Sequence, residues 1–142
     1  MLDCLKIGTM LNMNIEIPIS VGELVDKLTI LEIKKEMIQN PDKLVNINNE
    51  YEKLNEMASE LKNKNQNEYT KLFNELKNIN LKLWKIEDKI RILESEKKFN
   101  EKFIELARSV YFTNDERFVA KNNINKFFGS EFAEEKQYIE YQ

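Results

Sequence analysis

Alternating isoleucines open the patterned part of the chain: Ile15, Ile17 and Ile19, with Glu16 and Pro18 between them. Period two predicts an extended, β-like arm with one buried face. Pro18 restricts that arm to an edge or a packed segment, because it cannot donate to a ladder. Residues 1–12 lack the pattern and read as an N-terminal extension, with a hairpin through Gly8-Thr9, ahead of a single helical domain over 13–142.

From Ser20 the period becomes helical. Ser20-Val21-Gly22-Glu23 has the spacing of a capping box, in which the hydroxyl caps the third N–H and the glutamate reaches back. The first helix is predicted to run to about Gln39. Asn40-Pro41-Asp42 supplies a cap, a proline at the first helical position and an acid in the first turn. It opens a second helix reaching about Leu61, antiparallel to the first across a short connection. Residues 62–67 are polar and unpatterned, a loop. A third helix from Glu68 to Lys97 would be roughly 45 Å long, the spine of the domain. A fourth is predicted over Asn100–Phe112, a break at Thr113-Asn114-Asp115, a fifth over Asp115–Phe128 stopped by Gly129, and a short last helix capped by Ser130 and reaching Tyr141. The fold class is therefore all-α, an antiparallel bundle of about five helices with a long central third helix.

Helical projection at about 100° per residue puts several polar residues on apolar faces. The first helix has one stripe through Val21, Leu24, Val25, Leu28 and Leu31, and Glu32 falls inside it. A second stripe holds Ile30, Ile33 and Met37, with Asp26 among them. A helix apolar on two sides is predicted to be central. On the third helix Asn80, Glu87, Arg91 and Glu94 share the face of Leu72, Leu76, Leu83 and Ile90, and Glu87 and Arg91 stand in salt-bridge register. Lys121 and Asn125 project between Phe118, Ile124 and Phe128, and Arg108 flanks Tyr111. Trp84 and the phenylalanines at helical spacing read as core. A buried charge is costly unless paired and hydrogen-bonded. Two readings follow: a polar pocket walled by helices, or internal ion pairs that set helix register.

Composition narrows the chemistry. The 142 residues include no His and one Cys, Cys4, so imidazole nucleophiles, His-ligated metals and disulfides are excluded. A metal here would be a hard cation on oxygen ligands, Mg²⁺ above all, and no other cofactor is called for. With 22 basic against 25 acidic residues the net charge is −3, which argues against a nucleic-acid partner. No segment has the apolar length of a membrane helix and the N-terminus has no leader pattern, so a cytoplasmic protein without a membrane partner is expected. Only three basic residues are arginines, Arg91, Arg108 and Arg117. In so lysine-rich a chain an arginine is expected where its planar fork is needed, as for phosphate or carboxylate.

Three phrases carry more than periodicity. They are Ile17-Pro18-Ile19-Ser20-Val21-Gly22-Glu23-Leu24-Val25-Asp26-Lys27-Leu28-Thr29-Ile30-Leu31-Glu32-Ile33-Lys34, then Leu83-Trp84-Lys85-Ile86-Glu87-Asp88-Lys89-Ile90-Arg91, then Phe103-Ile104-Glu105-Leu106-Ala107-Arg108-Ser109-Val110-Tyr111-Phe112-Thr113-Asn114-Asp115, followed by Arg117, Lys121, Asn125 and Gly129-Ser130. Together, from about residue 13 onward, the chain resembles a family of small bacterial and phage proteins of unknown function. The resemblance implies no established activity. It implies a link to cell-surface glycan assembly, which turns the ligand expectation toward sugar nucleotides or sugar phosphates. The phrases contain most of the misplaced polar residues and add others, giving a candidate ligand-binding set of Asp26, Glu32, Glu87, Arg91, Arg108, Tyr111, Asn114, Asp115, Arg117, Lys121 and Asn125. Phe112 and Phe118 depart from the smaller or more polar residues of the family pattern.

Three functions remain open on this reading. The first is a helical protein, enzymatic or not, that binds a small anionic ligand on its Arg/Lys/Glu pocket. The second is a dimeric structural or adaptor protein whose inward polar residues set register. The third is a Mg²⁺-dependent enzyme like the all-α nucleotide pyrophosphohydrolases, for which Glu23-x-x-Asp26 supplies half of the needed carboxylate pattern and the third helix supplies no partner. No phrase matches the Arg/Lys site of a chorismate-mutase-like bundle closely.

Overall fold

A computed structural model describes residues 13–141; the hairpin expected at Gly8-Thr9 lies outside them. The described chain is helical: α1 Val21–Met37, α2 Pro41–Met57, α3 Ser59–Lys64, α4 Gln66–Ser95 and α5 Glu101–Phe128. Each long helix starts on a side-chain cap that satisfies orphan N–H groups. The Ser20 hydroxyl accepts from the Glu23 N–H, and Asn40 accepts from those of Asp42 and Lys43. Asn65 and Asn100 accept from the N–H groups of Glu68 and Phe103. Gly129 ends α5 in the left-handed conformation at φ 67°, where a residue without a Cβ is unstrained.

α1 is the central element. It packs against α2, α4 and α5, while α4 and α5 pack against each other along their length. The core forms where these helices meet, around Val25, Leu28, Leu76 and Ile124, all nearly inaccessible to solvent. Val25 and Leu28, of one apolar stripe of α1, lie in this core; of the second stripe Ile33 is buried and Met37 is exposed.

Four expectations are corrected. The predicted fourth and fifth helices are one helix of 28 residues running straight through Thr113-Asn114-Asp115. Those residues have modest helix propensity, but Thr113 is fully buried, and packing outweighs a few tenths of a kcal/mol per residue. No helix forms after Gly129: residues 130–141 have no regular secondary structure. Ser130 does cap a helix, but it is α1, accepting from the Val21 N–H at 3.0 Å across 109 residues. The second helix stops at Met57, and buried Ala58 turns the chain into the separate short α3, so most of the expected 62–67 loop is helical. Residues 13–19 form no strand; Ile15 and Ile17 are 82% and 70% exposed, and only Ile19 is partly covered.

Candidate functional site

The polar residues predicted to share one pocket fall into separate clusters. The most buried lies between α1, α4 and α5. Asp26 sits on α1 with 1% of its surface exposed, and its two carboxylate oxygens receive the Arg117 guanidinium side-on, from Nε at 3.0 Å and Nη2 at 2.5 Å. The Asn80 amide of α4 donates to Asp26 Oδ1 and to the Thr29 hydroxyl, both at 2.9 Å, and that hydroxyl donates to the Asp26 carbonyl at 2.7 Å. The charge-assisted bonds to Asp26 hold the Arg117 pKa above its ordinary value, against the opposing pull of burial. A bidentate pair with its remaining lone pairs satisfied is the arrangement in which two buried charges are tolerated.

The second cluster ties the start of α1 to the end of α5 and the tail beyond it. Lys121, 5% exposed, reaches Glu23 and Glu134, each at 2.8 Å. Burial pulls the Lys121 pKa down, but the bonds to Glu134 and Glu23 outweigh it and the net shift is upward. Asn125 accepts from the Gly22 N–H at 2.6 Å, and Asn122 donates to the Glu134 carbonyl. A Cβ at Gly22 would overlap the Lys121 carbonyl oxygen, so glycine is needed there for close helix approach.

Glu32 belongs to a third group, away from these. It accepts from the Tyr51 hydroxyl at 3.1 Å and pairs with Lys77 at 3.0 Å; Lys77 also reaches Glu36. Arg108, Tyr111 and Asp115 lie on the outer side of α5. Arg108 Nε is 3.4 Å from the Tyr111 hydroxyl, and Tyr141 of the tail donates to Asp115 while its ring meets those of Tyr111 and Phe112. Asn114 is half-buried beside them in sequence and makes no side-chain hydrogen bond among the described residues.

One cleft of about 430 Å³ touches this framework. Its apolar wall is Ile30 and Ile33 of α1 with Leu83 and Trp84 of α4; its polar lining is Asn80, Glu87, Asp88, Arg91 and Arg117. Trp84 is therefore a cleft residue rather than core. Glu87 and Arg91 do meet, at 3.4 Å, but at the mouth, where Arg91 is 78% exposed; the expected burial of this pair is not observed. Glu94, one turn on, is exposed and pairs with Lys97. The cleft thus gathers Glu87, Arg91 and Arg117 from the predicted set and leaves Glu32, Arg108, Tyr111, Asn114, Asp115, Lys121 and Asn125 elsewhere.

Arg117 and Asn80 are common to the buried network and the cleft, and Arg117 is the charged one. Asp26 occupies its Nε and one N–H of Nη2; the other N–H of Nη2 and both on Nη1 find no protein acceptor among the described residues. Glu23 and Asp26, weighed above as Mg²⁺ ligands, each face a cation instead, Lys121 and Arg117. Among the described residues no group of three or more carboxylate or Cys side chains is placed to hold a metal ion. No helix among them is long and apolar enough to cross a membrane.

Sequence reasoning missed Glu134 and gave Ser130 the wrong helix to cap, because both roles depend on a tail returning along α5 and leave no local signal. It flagged Asn80 and the Ile30–Ile33 stripe as facing inward without joining them to the site. No curated protein and no solved structure matches the chain. A family model matches residues 13–140, covering all three phrases and the clusters they build, and the chain accordingly belongs to that family, described as a family of unknown function (DUF6165).

Proposed function

We propose that this protein binds a small molecule carrying an anionic group in the cleft between α1 and α4, with Arg117 as the anchor. The observation that carries the reading is the guanidinium held side-on by Asp26. The carboxylate fixes the fork, the Asn80 amide, itself held by the Thr29 hydroxyl, donates to the carboxylate, and Arg117 lines the cleft. A pre-oriented fork loses little freedom on meeting a phosphate or carboxylate. Arg91 at the mouth supplies a second fork, and Trp84 with Ile30 and Ile33 supplies an apolar wall for the body of the ligand. Phosphorylated sugars and sugar nucleotides are the first classes to test, in keeping with a role in surface-glycan metabolism.

The test is a thermal-shift screen of the whole chain with nucleotides, sugar nucleotides and sugar phosphates, each with and without Mg²⁺. A ligand that binds only the native state adds about 2.7 kcal/mol at a hundred times its dissociation constant. The expected result is a selective hit that Arg91→Ala weakens without unfolding the protein. Mg²⁺ dependence of that hit would move the reading toward carboxylate-held metal chemistry.

A second reading, a dimeric adaptor without a small ligand, is favoured by the outer face of α5. Ile104, Tyr111, Phe112 and Val119 are exposed there at helical spacing. Sedimentation equilibrium returning a dimer that Val119→Lys dissociates, with a silent ligand screen, would favour it.

A further inference from the structure

The charge balance of the cleft narrows the ligand class, on the reading just proposed. Arg117 is neutralised by Asp26 and Arg91 faces Glu87 at 3.4 Å. That leaves Asp88, exposed at the rim, with no cation paired to it among the described residues. The cleft therefore offers oriented donors for one anionic group but no surplus positive charge for a polyanion. A second phosphate entering it would add further negative charge beside Asp88, with no unpaired cation among the lining residues to offset it. Trp84 stands one helical turn before Asp88 and adjoins Glu87 on the same side of α4, so an aromatic face and two carboxylates border the same space. That combination accepts an ammonium, through ion pairing and through the ring face, and lets a flat or chair-shaped ring lie on the indole.

We infer that the cleft binds a ring-bearing zwitterion, its phosphate or carboxylate on Arg117 and Arg91 and its ammonium on Asp88 beside Trp84. Two sources share this chemistry, an amino-sugar phosphate and an aromatic amino acid.

Calorimetric titration of the full chain separates the sources and tests the inference. The probes are glucosamine 6-phosphate against glucose 6-phosphate and N-acetylglucosamine 6-phosphate, and L-tryptophan against indole-3-propionate. In one of the two sets the amine-bearing member is expected to bind about tenfold more tightly than its partners lacking the charge. Asp88→Asn, at an exposed position that leaves the helical circular dichroism unchanged, is expected to erase that difference while sparing the partners' affinity. Equal or tighter binding of the uncharged-amine partners, lost in Arg117→Lys, would overturn the zwitterion and leave the anionic-ligand reading standing. Silence from all five probes also overturns the inference; a hit from the wider phosphate panel would then sustain the anionic-ligand reading alone, and silence there too would end both.

Discussion

The Asp26 carboxylate and the Arg117 guanidinium, 91 residues apart in sequence, meet side-on through two hydrogen bonds in the interior of the bundle. This contact joins α1 to α5, and Asn80 brings α4 to the same carboxylate. Removing one partner leaves the other buried and uncompensated, whereas replacing both by apolar groups of similar volume removes the desolvation cost as well. Arg117→Ala is expected to destabilise the fold by about 3–5 kcal/mol in urea unfolding. Asp26→Leu with Arg117→Met should recover most of that loss. A double variant as unstable as the single one would mean that the pair itself supplies the stability.

Gly22 permits a close approach of α1 to α5. Gly22→Ala would drive a methyl group into the Lys121 backbone carbonyl and pull the Gly22 N–H from Asn125. Backbone cannot yield as a side-chain tip can, so a loss of about 1–3 kcal/mol is expected, at the upper end of that range. Denaturant midpoints of the two proteins at constant slope would measure it.

Tyr69 carries a buried hydroxyl with no hydrogen-bond partner among the described residues, and burial, followed by Tyr51 and Glu32, pushes its pKa up to about 12. The neutral phenol is the form the fold favours. Its contribution is complete below pH 10, the ordinary tyrosine value, and is lost as pH rises from there through about 12. Two pH units correspond to about 2–3 kcal/mol. Tyr69→Phe is expected to flatten the alkaline fall in unfolding free energy between pH 10 and 12, and to be neutral or stabilising at pH 7 because it removes an unpaired buried hydroxyl. An unchanged alkaline slope would place that titration elsewhere.

Thr113 is fully buried in the middle of α5, its hydroxyl unpartnered among the described residues. Thr113→Val keeps shape and β-branching and removes only the unsatisfied oxygen. A gain of up to about 1 kcal/mol is expected, read as a higher melting temperature. A loss would show that the hydroxyl has a water or ligand partner, which would itself identify a functional position.

Part of the buried polar framework was legible as an anomaly. Asp26, Lys121 and Asn125 projected onto apolar faces, and all three are buried. Glu32 did too, but the end of its side chain reaches Tyr51 and Lys77 at partial exposure. Glu87, Arg91 and Glu94 also projected inward, yet Glu87 and Arg91 line an open cleft and Glu94 is exposed. Projection knows the direction of a side chain around its own axis. It does not know whether a neighbouring helix is present at that height.

Local sequence was enough for the all-α class and for two helix starts: few breakers, a 3.6-residue period, and caps at Ser20 and Asn40 that act within four residues of themselves. Local chemistry suffices there because a cap and its N–H groups are neighbours in the chain. Only packing decided that Thr113-Asn114-Asp115 would stay helical, that Ser130 would cap α1, and that one predicted pocket would divide into an Asp26–Arg117 core beside the cleft and other clusters around Lys121, Glu32 and Tyr111. Each of those outcomes depends on groups from different helices meeting at a particular height and spacing. That is fixed by packing volume and close approach, as at Gly22 against Lys121, and no local pattern records it.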